Sequence, residues 1–424
     1  MNTLSETELR EDHELLRPCL RAVEAFSVEY EGKEMVALRD RSNLTEGVTL
    51  VTPPALWIIQ HFTGEADVHE IAERIGVGVE MVTPLVKNLD EALLLHGKRF
   101  EAHHREVLDE FDRLESLPIR SAEDFTVAWM DETLEKARES QAFKSWKESH
   151  DGSADLVGMV APHLDTQRGE MNYGLSYAAV EYWLSCHENA KPDRVIVFGT
   201  NHFGAGTGVV MADKNQQTTA GLVHSDHDLA QLLCDDLGER LTEARLDHLR
   251  EHSVELQLPW IRYIIGEVPV LGFLVHDPTV ILGASYDGRG VAMDEFIEAL
   301  HKTLGKLGGR TLFVASADLS HIGPEFGDTD INDPKRLAEV GKHDQEHLQM
   351  LVNNQLDQFL TSMTQNHNQT KWCTLGGLTA LWRMVPESGQ PALLNYHQAV
   401  KHPAYEDLTK CCVTSASMVI TEHY

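Results

Sequence analysis

Three apolar runs of this chain each end in a histidine. Leu156–Val160 leads into Ala161-Pro162-His163, Val195–Phe198 into Gly199-Thr200-Asn201-His202, and Leu312–Ala315 into Ser316-Ala317-Asp318-Leu319-Ser320-His321. Neutral imidazole is the commonest protein metal ligand and a base that works near neutral pH. If the runs are strands of one sheet, the rings meet at its carboxyl edge, where open α/β sheets build ligand sites. Three such groups converging at one edge predict a metal or acid–base site. A fourth run, Val270–Val275, also ends in a histidine, His276, so any one of these histidines alone carries little weight.

Two further constellations have chemical potential. In Glu251-His252-Ser253-Val254-Glu255-Leu256-Gln257-Leu258-Pro259-Trp260, a helical reading puts His252 and Glu255 on one face. The second histidine of a zinc-binding HExxH helix is missing. The competing reading is a helix start whose acids are favoured by the dipole. In Lys371-Trp372-Cys373-Thr374, a cysteine follows a polar linker, Thr361–Thr370, and opens an apolar helical stretch. A helix start favours the thiolate that metals bind. Taken alone, Cys373 reads first as a small core residue and only second as a ligand. Cys186 and Cys234 fall in helical patterns, and Cys411-Cys412 in a strand run.

The elements that must position these groups change character along the chain. From about Leu156, buried strand-like runs (Leu156–Val160, Arg194–Phe198, Val268–Val275, Thr311–Ala315) alternate with helical stretches such as Gly174–Cys186 and Asp226–Leu237. Near-continuous apolar strands separated by helices predict an α/β domain with a mostly parallel central sheet and helices on both faces. A last run, Cys412–Ile420, alternates more and reads as an edge strand. Before this domain, Phe26–Tyr30 and Met35–Leu38 flank Glu31-Gly32-Lys33-Glu34 as a hairpin. Three helices follow: Ala55–Phe62, Val68–Ile75 between Asp67 and Gly76, and about Val79–Leu95. Leu117-Pro118 marks the boundary, which gives a small α+β unit over 1–117 and the α/β domain over 118–424.

Composition narrows the function. The 424 residues carry 67 acidic and 36 basic side chains, a net charge of −31, which repels phosphate backbones and argues against nucleic acid as a partner. The third helix of the small unit has Lys87 against Glu80, Asp90 and Glu91, so it offers no basic recognition face. No apolar run approaches the roughly 18 residues of a membrane span, and the polar, acidic N-terminus is no signal peptide. Six cysteines are too sparse for a disulfide scaffold. A soluble protein of the reducing cytoplasm is expected.

The segments APHLDTQRGEMNYG around His163, FGTNHFG around His202, EHSVELQLPW around His252, SADLSHIG around Asp318 and His321, the Cys373 region and LNYHQA around Tyr396 resemble, in this order, the Memo-like family, which includes the AmmeMemoRadiSam system protein B group. The resemblance covers about residues 118–424. It implies the fold of class III extradiol dioxygenases and a divalent metal, preferably iron, held by His163, His202 and Cys373; two imidazoles and a thiolate by themselves suit iron, copper or zinc. It also implies that Asp318 and His321 flank the metal as catalytic groups and that His252 lines the pocket. The family name points to a radical-SAM partner. The first 117 residues resemble a PqqD-like winged-helix module, which implies a peptide or protein partner. Two departures stand out. A cysteine replaces the carboxylate of the dioxygenases, and His202 is followed by Phe203 where some relatives carry a second histidine. Asp318 or Glu251 is the competing source of an anionic ligand.

Three functions follow from these readings: a metal-dependent redox protein, a non-catalytic scaffold whose pocket recognises a peptide or partner protein, and an extradiol-type dioxygenase.

Overall fold

The computed structural model describes residues 13–42, 44–45, 47–150, 152–186, 191–204, 206–279, 286–400 and 410–423. They fall into two compact units, one from within 1–114 and 203–205, the other from within 115–202 and 206–424.

In the smaller unit, β1 (Val23–Tyr30) and β2 (Lys33–Asp40) pair antiparallel, and β3 (Thr49–Val51) adds to β2. The hairpin closes on Glu31-Gly32, both left-handed, the backbone that a two-residue turn needs to match strand twist. Helices Pro53–Ile59, Val68–Ile75, Val79–Glu91 and Lys98–Arg113 follow. Asp67 and Glu70 form a capping box, and Gly76 ends that helix in the left-handed region. The third helix stops at Glu91 rather than Leu95, because the chain turns left-handed at Leu93.

In the larger unit, β4 (Ser116–Leu117), β8 (Asn215–Thr218) and β9 (Gly221–Val223) make a small sheet. The main sheet takes β5 (Asp155–Ala161), β6 (Arg194–Thr200), β7 (Val210–Met211), β10 (Val270–Val275), β11 (Thr311–Ser316), β12 (Asp318–Ile322), β13 (Gln390–Ala399) and β14 (Cys412–Glu422). Its order is β12-β14-β5-β11-β6-β10-β7, with β13 on β14. The sheet is mixed. The central strands β5, β11, β6 and β10 are parallel, and β7, β12, β13 and β14 join antiparallel.

Alternate residues of the parallel strands enter two separate cores. Ile196, Phe198, Phe273 and Phe313 share one with helices Met293–Leu307 and Leu375–Met384. Val195, Val197, Leu312 and Val314 share the other with helix Thr166–Cys186. This two-sided burial makes the strand runs almost continuously apolar. Phe198 stacks on Phe313 in the first core, and Trp260 on Tyr177 in the second. Among the described residues no helix is long and apolar enough to cross a membrane.

A further sequence expectation is corrected. β14 is an interior strand, flanked by β13 on one side and by β5 and β12 on the other, and all ten positions from Cys412 to Thr421 are buried. Its alternating polar residues fooled the periodicity because their hydroxyls are satisfied internally: Thr414 donates to Asp344 and Ser415 accepts from Asn172.

Gly376 lets the helix after Cys373 approach the end of β10. An added Cβ there would lie 2.0 Å from the His276 carbonyl oxygen, a backbone atom that cannot swing aside. Gly376→Ala should therefore destabilise the protein by about 1–3 kcal/mol in urea unfolding. An unchanged midpoint and slope would show that the approach is not tight.

Candidate metal centre

The parallel register sets the level of the strand ends. Ser316 lies opposite Ala161, and Ala315 opposite Phe198. His163, His202 and Asp318, each two residues past its strand, therefore arrive from adjacent strands at one edge.

His163 is 3% exposed. Its Nδ1 lies 3.0 Å from the Ser316 carbonyl. A carbonyl only accepts, so Nδ1 carries the proton and the Nε2 lone pair is free to bind. That Nε2 is 3.3 Å from Cys373 Sγ and 3.4 Å from Asp318 Oδ2. His202 is fixed by Glu251. Its backbone N–H donates to Oε2 at 2.7 Å and its Nδ1 to Oε1 at 3.0 Å. The His202 ring also hydrogen-bonds the Cys373 thiol. Cys373 sits two residues before helix Leu375–Met384, and Thr200 Oγ1 donates to its carbonyl at 3.2 Å.

The ligand atoms of His163, His202 and Cys373 lie within 4.8 Å of one another. Donors to one ion are separated by roughly 3–4 Å when the bonds are about 2.0–2.3 Å long. Two imidazoles with Nδ1 spoken for, and a thiol between them, fit a divalent metal of borderline softness.

His202, Glu251 and His252 form a second close group. Its carboxylate is already engaged. Glu251 also accepts the backbone N–H groups of His252 and Ser253, both at 2.9 Å. It is placed to orient His202, as carboxylates commonly do behind metal-binding histidines. Burial works against its charge, but His202 and these hydrogen bonds hold it well below the usual carboxylate range.

The expected helical pairing of His252 with Glu255 does not form. Residues 252–254 are not helical, and Glu255 instead accepts the backbone N–H groups of Arg120 and Ser121. The His252 ring stacks on His202 at 5.0 Å and meets His163 edge-on at 5.5 Å. Burial, outweighing Glu251, lowers its pKa to about 4. His321 donates from Nδ1 to the Leu319 carbonyl at 2.9 Å and approaches the Lys371 carbonyl at 3.1 Å. Burial lowers its pKa to about 4, so it is neutral at pH 7 with Nε2 able to take a proton. Asp318 is 2% exposed, and burial raises its pKa to about 7 despite the hydrogen bond from the His163 N–H. His276, at the equivalent end of β10, belongs to neither close group. Sequence reasoning weighed Glu251 as a ligand and missed its orienting role; its place directly before His252 was the only signal.

These charges set a pH dependence. Burial opposes protonation of His202, but Glu251 and the thiol outweigh it and raise its pKa well above the ordinary value. Without metal His202 is an imidazolium at neutral pH, so binding must release its proton. Zinc affinity, measured by competition with a chelator, should therefore rise with pH through neutrality by about tenfold per unit for each proton released. In Glu251→Gln the rise should be shallower near neutrality, and affinity at alkaline pH should fall about 10–100-fold. A flat wild-type profile would contradict the assignment of His202.

Residues 130–419 match the Memo-like protein family. Similar curated proteins carry the name MEMO1 family protein. The one from Methanopyrus kandleri is 32% identical over 42% of this chain and 57% of its own length. That from Thermus thermophilus is 29% identical over 64% of the chain and 75% of its own. That from Aquifex aeolicus is 22% identical over 82% and 86%. This chain thus covers little more than half of the Methanopyrus relative. The family match takes in every residue of the edge described above, from His163 to Cys373, and the chain belongs to the Memo-like family.

Proposed function

We propose that the protein is a metal-dependent redox protein in which His163, His202 and Cys373 hold a divalent ion, preferably iron. The observation that carries this reading is the grouping of two imidazole nitrogens and one thiol within 4.8 Å. Three protein ligands leave coordination positions open, as a catalytic rather than a structural site requires. Such an ion would supply Lewis acidity and, as iron or copper, one-electron chemistry.

The surrounding residues supply the proton handling. Asp318, with a pKa of about 7, is part protonated at neutral pH and suits a group that gives and takes protons. His321 and His252 are neutral at pH 7, and their unprotonated ring nitrogens can accept hydrogen bonds from bound groups. The six cysteines are all free, which suits a reducing compartment such as the cytoplasm.

Freshly purified protein should contain close to one divalent ion per chain by elemental analysis. Cys373→Ser should fold and lose most of it, whereas Cys234→Ser and Cys411→Ser should keep it. An oxygen-uptake screen of the iron-loaded protein over reduced aromatic compounds should show turnover that Cys373→Ser abolishes. Bound metal without turnover would reduce the reading to metal handling, and neither metal nor turnover would leave the scaffold.

A further inference from the structure

Behind the metal edge lies a carboxylate with no solvent access. Asp344, on helix Pro334–Val352, is 0% exposed. Its Oδ1 accepts from Ser320 Oγ at 2.5 Å and Trp372 Nε1 at 2.8 Å, and lies 3.2 Å from His343 Nδ1. Its Oδ2 accepts from Tyr396 OH at 2.8 Å and Thr414 Oγ1 at 2.6 Å. A carboxylate has about four lone-pair sites. Neutral donors fill them here, and a buried charge persists only when satisfied in this way.

The identity of the donors gives the cluster its meaning. Ser320 immediately precedes His321 and Trp372 immediately precedes Cys373. Tyr396 and Thr414 lie on β13 and β14. The carboxylate thus ties the two segments that carry site residues to two strands of the sheet. Trp372 Nε1 also reaches Ser320 Oγ at 3.0 Å, and the His321 N–H donates to the Thr370 carbonyl at 2.7 Å, so the two segments are locked to each other.

The loop before Cys373 needs such a lock. His367, Asn368 and Lys371 all have left-handed backbone, with φ of 55°, 47° and 58°. Non-glycine residues hold that conformation only where the surroundings over-determine it. Asn368 supplies part of the restraint, since its side chain bonds both the N–H and the carbonyl of Trp372 at 2.8 Å. The buried indole on Asp344 is a further anchor, beside the bonds of His321 to the Thr370 and Lys371 carbonyls.

We propose that Asp344 is a positioning residue for the thiol ligand: through Trp372 and Ser320 it holds Cys373 Sγ against the Nε2 atoms of His163 and His202. This rests on the metal-site reading above. It also gives a role to the LNYHQA segment, whose Tyr396 braces the carboxylate from the far side.

The test is titration of the full chain with cobalt(II), following thiolate-to-metal charge-transfer absorption and affinity together with the far-ultraviolet circular dichroism and melting of each variant. Asp344→Asn keeps the size but turns an acceptor into a donor facing the Trp372 and Tyr396 donors. It should fold, lower cobalt affinity about 10–100-fold, and weaken or shift the charge-transfer band. Trp372→Phe, which leaves Asp344 charged, should move the band in the same direction. A folded Asp344→Asn protein with wild-type affinity and band overturns the proposal. If Asp344→Asn does not fold, an unchanged band and affinity in Trp372→Phe overturns it. Cys373→Ser separates the two levels. If the wild-type band survives that substitution, or no band exists, the metal-site reading fails and this inference fails with it. If the band needs Cys373 but ignores Asp344 and Trp372, only the positioning role is lost.

Discussion

Parallel pairing of β5, β11 and β6 is the constraint on which the site depends. Parallel strands point their carboxyl ends the same way, and neighbours lie about 4.8 Å apart. With Ala161 opposite Ser316, whatever follows each strand is delivered to one edge within side-chain reach. The two cores hold that register. A slip of one residue would exchange Phe198 and Phe313 with Val197 and Val314, and push each set into the wrong core.

Given that edge, the environment decides what each polar group does. Glu251 and Asp318 are both buried carboxyls in this histidine cluster, Glu251 against His202 and Asp318 against His163, and they take different states. Glu251 meets several N–H donors and a raised imidazole and stays ionised. Asp318 has far weaker compensation for its burial and titrates near 7. One can orient His202, and the other can exchange a proton at neutral pH. The same division governs the histidines. His202 is the one held charged by a carboxylate. His163, His252 and His321 are driven neutral by burial.

Much of this was legible in the sequence, and the boundary follows from range. The strand-end histidines could be read because a local pattern, an apolar run and the residues just after it, fixes their place in a parallel sheet. The capped helix from Val68 to Ile75 was likewise local, written in Asp67, Glu70 and Gly76. Glu251 as the partner of His202, and Asp344 as the partner of Trp372 and Thr414, join residues far apart in the chain, so no periodicity reports them. The interior place of β14 was lost for the same reason. Its alternating hydroxyl and apolar residues look half-exposed until Asp344 and Asn172 are seen to satisfy them.

The central claim is that two imidazoles and the Cys373 thiolate share one ion. X-ray absorption at the metal edge of the zinc-loaded full chain tests it most directly, since sulfur and nitrogen neighbours separate by distance. The account predicts one sulfur at about 2.3 Å with two imidazole nitrogens at about 2.0–2.1 Å, and lighter atoms completing the shell. A shell of nitrogen and oxygen alone, as His202, Glu251 and His252 would give, would contradict it.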